Sequence, residues 1–205
     1  MTRLRLGVLV SGRGTNFQAI LDAISRGDLD AEVKFVACNH RGVQSISRAE
    51  QAGVPVKIYT QEEHGSRKAQ QRAIAGRLTE AEIDLVVCAG WDRVLTHEFV
   101  EAFRGRIINV HPSLLPAFAG GLHSIRAALA YGVKVTGCTV HFVTDEVDCG
   151  PIISQAAVPV LTDDTEESLA DRIHTEEHRL LVEAIRLYGS QHLQVEGRVV
   201  RLAGD

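Results

Sequence analysis

The chain has 205 residues, 45% of them hydrophobic and 23% charged, with a formal net charge of −4. That composition suits one large globular domain, and its slight acidity gives no global electrostatic case for binding nucleic acid or an anionic membrane. The apolar runs are strand-sized, too short to span a bilayer. Residues 1–7 carry no signal-peptide pattern. Cys38, Cys88, Cys138 and Cys149 form no Cys-x-x-Cys pair. The first three lie in or beside apolar runs as small buried hydrophobes, which points to a reduced, cytoplasmic protein.

Strand-like and helix-like segments alternate along the first half. Residues 4–10 are apolar and β-rich, and residues 16–25 have helical spacing with Phe17, Ile20, Leu21 and Ile24 on one face. Strands are predicted over 33–38, 54–59, 85–89 and 107–110. Helices are predicted over 45–52, 66–79 and 97–103. This βαβα order implies an α/β fold with a mainly parallel twisted sheet flanked by helices, Rossmann-like in its N-terminal half. After Pro112 the pattern changes: a short helix over 124–131, strands over 134–143 and 152–160, then a long helix over 166–187. Asp163 and Glu166 have the spacing of a capping box for that helix. Leu169, Ile173, Leu180, Leu181 and Ile185 have the spacing of core contacts. Residues 193–196 and 199–202 around Gly197 read as a small hairpin. One domain, 1–205, in two halves (1–111 and 112–205) with the active cleft between them is the expected organisation.

The sharpest chemical signal lies in Ile107-Ile108-Asn109-Val110-His111-Pro112. Side chains alternate along a strand, so Asn109 and His111 share a face. Pro112 cannot donate to a sheet ladder, so the strand stops there. An amide and an imidazole then stand together at a strand's carboxyl end, where open α/β sheets bind ligands. Both donate to a carbonyl oxygen gaining negative charge. The same residues would also serve as a satisfied polar pair.

Three further segments carry polar chemistry. Ser11-Gly12-Arg13-Gly14-Thr15-Asn16 joins the first strand to the first helix, where free N–H groups attract phosphate. It is neither a Rossmann Gly-x-Gly-x-x-Gly, since Phe17 replaces the third glycine, nor a Walker A loop. A phosphate site is the favoured reading, with a plain glycine turn capped by Thr15 or Asn16 as the alternative. In the acidic loop after Phe142, Asp145, Glu146 or Asp148 beside His111 would favour its charged form, although a solvated turn has the same composition. His174-Thr175-Glu176-Glu177-His178 matches an inverted zinc-protease pattern. It lacks an evident third ligand, so a polar helix face fits better. Cys149 has acidic neighbours, which oppose thiolate formation.

Taken together, the segments 11–16, 109–116 and 141–151 resemble the phosphoribosylglycinamide formyltransferases, folate-dependent enzymes of purine biosynthesis in the formyltransferase superfamily. The resemblance runs over almost the whole chain. It implies transfer of the formyl group of 10-formyltetrahydrofolate, a co-substrate, to the amine of glycinamide ribonucleotide, with no metal. Asn109, His111 and Asp148 would be catalytic. Gly14, Thr15 and Asn16 would hold the ribonucleotide phosphate, and His174, Thr175, Glu176 and Glu177 would border the same substrate. Arg67, Asp92, Arg93, Val94, Leu95 and Asn109, with Thr144, Asp145, Glu146, Val147 and Asp148, would line the folate pocket. Partners would be these small molecules, with a homodimer left open. The nearest alternative is a formyltetrahydrofolate deformylase, which hydrolyses the same folate, but the regulatory N-terminal domain of that family has no counterpart before residue 4. Three departures stand out: Trp91-Asp92 replaces the family's usual aromatic-methionine pair, residues 117–123 lack its proline and gain one residue, and Cys149 stands where glycine is frequent.

Overall fold

The computed structural model describes residues 3–202. Two compact units are present, Met1–Ile108 and Asn109–Asp205. The first contains β1 (Leu4–Val10), α1 (Thr15–Arg26), β2 (Ala31–Cys38), α2 (Gln44–Gln51), β3 (Val56–Ile58), α3 (Gln61–His64), α4 (Arg67–Glu80), β4 (Leu85–Cys88) and α5 (His97–Ala102). Its strands lie in the order β3-β2-β1-β4 and pair in parallel throughout. Parallel strands end on the same side, so Ser11, Asn39 and Ala89 all emerge at one carboxyl edge.

The central strands are buried on both faces, which is why they read as continuous apolar runs. Leu6, Val8, Leu9, Val10, Leu85, Val86 and Val87 have no exposure. On α1, Phe17, Ile20 and Ala23 enter the core, while Leu21 and Ile24 are only half-buried. Each large apolar side chain so buried contributes about 1.5–3 kcal/mol. Neither Thr15 nor Asn16 caps α1; Gly14 holds that position at φ 70° without a side-chain bond. The one-turn helix α3 was not expected, yet Thr60-Gln61-Glu62-Glu63 has the capping-box spacing, and the Thr60 hydroxyl accepts from the Glu63 amide.

The division between the units falls inside β5 (Ile107–His111), whereas the sequence reading put it just after that strand. The second unit continues with α6 (Ser124–Tyr131), β6 (Val135–Phe142), β7 (Ile152–Pro159), α7 (Glu166–Gly189), β8 (Leu193–Glu196) and β9 (Val199–Leu202). Strands β6 and β7 pair antiparallel, as do β8 and β9, and β9 meets β7 in parallel through Val199 and Ile152. The five predicted core residues of α7 are buried, together with Ala184 and Glu177. Its capping box is not the Asp163–Glu166 pair. Thr165 caps the helix and exchanges hydrogen bonds with Ser168, its hydroxyl accepting from the Ser168 amide while Ser168 Oγ accepts from the Thr165 amide. Asp164 accepts from Ser168 Oγ and the Leu161 amide and pairs with Arg172. No helix among the described residues is long and apolar enough to cross a membrane.

Candidate active site

Strand β5 delivers Asn109 half-buried and His111 at 5% exposure. The acidic loop brings Asp148 to them: His111 Nδ1 lies 3.4 Å from Asp148 Oδ2. Asp148 adopts φ 54°, a left-handed conformation uncommon outside glycine, for which aspartate is among the better-suited residues. Two contacts set that geometry. The Gly120 amide donates to Asp148 Oδ2 at 2.8 Å. Gly150 lies so close to the preceding strand that a Cβ there would sit 1.7 Å from the Phe142 carbonyl oxygen. The acid is therefore held by the loop at Gly120 and by the close approach of its own loop to β6.

The other ring nitrogen of His111 is also engaged. Nε2 is 3.1 Å from the Phe118 carbonyl oxygen and 3.2 Å from Ser124 Oγ. The Ser124 hydroxyl has two carbonyls to donate to, Phe118 and Gly121, which leaves its oxygen free to accept. Both nitrogens of His111 thus face oxygen acceptors, an arrangement in which each is placed to donate. The loop at 117–123 supplies Phe118, Gly120 and Gly121 to this network.

His141, on β6, is a site residue that the sequence reading did not single out. It is 2% exposed. Its Nδ1 donates to the Phe142 carbonyl at 2.9 Å, so Nε2 accepts from the Asn109 amide nitrogen at 3.2 Å. Burial lowers its pKa and favours this neutral ring. Nε2 is also 3.7 Å from Asp148 Oδ1. His141 therefore orients the Asn109 amide, spending one of its two N–H groups and leaving the second available. The available sequence signal was its place at the end of a buried strand running into the acidic loop.

In the first unit, residues 12–15 of the glycine loop are held from α2. The Ser45 amide donates to the Gly12 carbonyl at 3.1 Å, and Arg48 Nε donates to the Arg13 carbonyl at 2.9 Å. A Cβ on Gly14 would lie 2.7 Å from that of Ser45, so close packing as well as backbone conformation requires glycine. Thr15 is half-buried and Asn16 buried. Asp92 follows β4. It accepts from Asn39 Nδ2 at 2.6 Å and pairs with His40 Nε2 at 2.7 Å, while its own amide donates to Ser11 Oγ at 2.9 Å. Burial pushes the Asp92 carboxyl up, but the bonds from His40, Asn39 and Ser11 prevail and its pKa is lowered. Arg93 and Val94 are exposed and Leu95 half-buried. Arg67, the first residue of α4, is exposed.

On α7, Glu177 is 4% exposed, and the His174 and His178 rings stack 6.4 Å apart. Glu176 pairs with Arg179, and Thr175 Oγ1 donates to the Asp171 carbonyl. Thr144, Asp145, Glu146 and Val147 are exposed. Cys38, Cys88 and Cys138 are buried and Cys149 is half-buried; burial pushes the Cys138 thiol up to about 12, far from a reactive thiolate.

Residues 4–185 match the family model described as formyl transferase. The chain is 41% identical to the Gallus gallus trifunctional purine biosynthetic protein adenosine-3 over 94% of its own length, but spans only 19% of that protein. It is 44% identical to a phosphoribosylglycinamide formyltransferase of Mycobacterium tuberculosis, covering 97% of this chain and 91% of that one. The crystal structure of glycinamide ribonucleotide transformylase 1 from Symbiobacterium toebii superposes with a TM-score of 0.95 at 49% identity, over 98% of this chain and 94% of that one. With its Asn109, His111 and Asp148 gathered at one strand end, this chain belongs to the formyl transferase family, in its phosphoribosylglycinamide formyltransferase branch.

Proposed function

We propose that this protein transfers the formyl group of 10-formyltetrahydrofolate to the amine of glycinamide ribonucleotide, a step of purine biosynthesis carried out in the reducing cytoplasm. The observation that carries this reading is the Asp148–His111 contact beside an Asn109 amide whose orientation His141 fixes. The amine nitrogen attacks the formyl carbon, and the carbonyl electron pair moves onto oxygen. The spare Asn109 N–H donates to that oxyanion, a donor worth about 3–4 kcal/mol in comparable sites, and the His111 ring joins it when Nε2 turns from the Phe118 carbonyl to the new acceptor. Asp148, beside His111, accepts the proton that the attacking amine sheds, directly or through a water. The carbon–nitrogen bond to the folate then breaks as that nitrogen takes up a proton. No covalent enzyme intermediate is needed.

In this reading Gly14, Thr15 and Asn16 bind the ribonucleotide phosphate at the start of α1. Glu177, with His174, Thr175 and Glu176, borders the same substrate. Arg67, residues 92–95 and residues 144–148 bind the folate. The test is a spectrophotometric assay of purified protein with 10-formyltetrahydrofolate, with and without glycinamide ribonucleotide. Tetrahydrofolate should appear only when the amine is present, with formylated ribonucleotide in equal amount. Folate release that ignores the amine would identify a hydrolase instead.

A further inference from the structure

Three of the four strand ends of the first unit meet at one residue. Asp92 follows β4, Asn39 and His40 follow β2, and Ser11 follows β1. Asp92 spends one carboxylate oxygen on Asn39 and the other on His40, and Arg93 Nε approaches the first at 3.6 Å. Its backbone amide rests on Ser11 Oγ, and the Ser11 amide in turn donates to the Gly90 carbonyl at 3.1 Å. The far end of the same segment is fixed as well. Gln71, with no exposure, donates to the Val94 carbonyl at 2.9 Å and accepts from the Thr96 amide at 2.7 Å. Residues 90–96 are therefore clamped at both ends, and Ser11, the first residue of the glycine loop, is part of one clamp. Each carboxylate oxygen already has a protein partner, so the side chain's orientation is set by the protein itself.

We propose that Asp92 is a positioning residue: its carboxylate, held by His40 and Asn39, fixes the folate-facing segment 90–95 so that its own backbone amide rests on Ser11 of the phosphate loop, and both substrate sites depend on it. This deepens the functional reading above and rests on it. A residue that merely touched folate would affect folate alone, and His40 would then be irrelevant. The clasp predicts that His40 matters, although its side chain is 40% exposed and it lies outside every segment assigned to a substrate.

The test is a double-mutant cycle with His40→Leu, Asp92→Leu and the pair. Each single change should raise KM for both substrates by about tenfold, the loss expected of one charge-assisted hydrogen bond. In His40→Leu, kcat should stay within about twofold, because the reacting groups are untouched. The double variant should be no worse than Asp92→Leu, since the two residues act as a unit. Asp92→Asn, which keeps one acceptor oxygen, should recover part of the loss. A silent His40→Leu, additive effects, or a change confined to the folate constant would overturn the clasp. Amide exchange on the unliganded proteins supplies a readout independent of activity: Ser11 and Asp92 should exchange faster together in His40→Leu. If wild type fails to formylate the ribonucleotide, the functional reading falls, while unchanged exchange in His40→Leu sinks the clasp itself.

Discussion

Replacing Asp148 by asparagine removes one charge and preserves shape. In the structure Asp148 Oδ2 stands 3.4 Å from His111 Nδ1, with side-chain exposures of 11% and 7%. At an effective dielectric constant of about 20, a full charge pair at that separation is worth about 5 kcal/mol. The 3.4 Å gap is longer than a strong charged hydrogen bond, so the lower scale of about 2–3 kcal/mol for a hydrogen bond to a charged group is the better measure. If that interaction is made in full only when the oxyanion forms, the whole loss appears in turnover. The expected fall in kcat is then about 30- to 150-fold. Both KM values should change little, because the Gly120 amide can still donate to the asparagine carbonyl oxygen and hold the loop. Steady-state kinetics in both substrates, with thermal melts to confirm folding, make the measurement. An unchanged kcat, or a loss wholly in KM, would refute the role of Asp148 and with it the reasoning from this contact.

Three other substitutions test the structure. His141→Gln should lower kcat about tenfold by releasing the Asn109 amide, a loss on the scale of one hydrogen bond. Because burial lowers the His141 pKa, the unfolded chain binds a proton near pH 6.5 that the folded ring resists. Wild type should therefore lose stability relative to His141→Gln as pH falls below about 6.5, and a melting-temperature gap constant in pH would count against the neutral buried ring. Gly150→Ala should destabilise by about 1–3 kcal/mol and abolish most activity, since a Cβ 1.7 Å from the Phe142 oxygen forces the Asp148 loop to move; a fully active variant in chemical denaturation and rate assays would contradict this. Asp164, its pKa lowered by Arg172, stabilises above the ordinary carboxylate range and loses that contribution as pH falls. Asp164→Ala should melt below wild type at neutral pH, with the difference shrinking below about pH 4.

Periodicity and turn chemistry carried the order of strands and helices, because each element's burial is written in its own residues. The β1 and β4 runs and the core face of α7 are cases in point. Asn109 and His111 were legible for the same reason: strand alternation places them side by side. The choice of Asp148 over Asp145 and Glu146 came from family resemblance, since the residues alone left all three open. Tertiary structure brings Asp148 to within 3.4 Å of His111, on a left-handed backbone at residue 148 and with Gly150 pressed against Phe142, while Asp145 and Glu146 are exposed. The contacts of His141 and of the 117–123 loop were also invisible, because they depend on partners such as Asn109 and Asp148, 32 and 28 residues away in the chain. Asp92 makes the point most sharply: the sequence showed an acid where a methionine is usual, and only the meeting of three strand ends showed what holds it. Local propensity is a property of neighbours in sequence, whereas the ownership of a hydrogen bond is settled by neighbours in space.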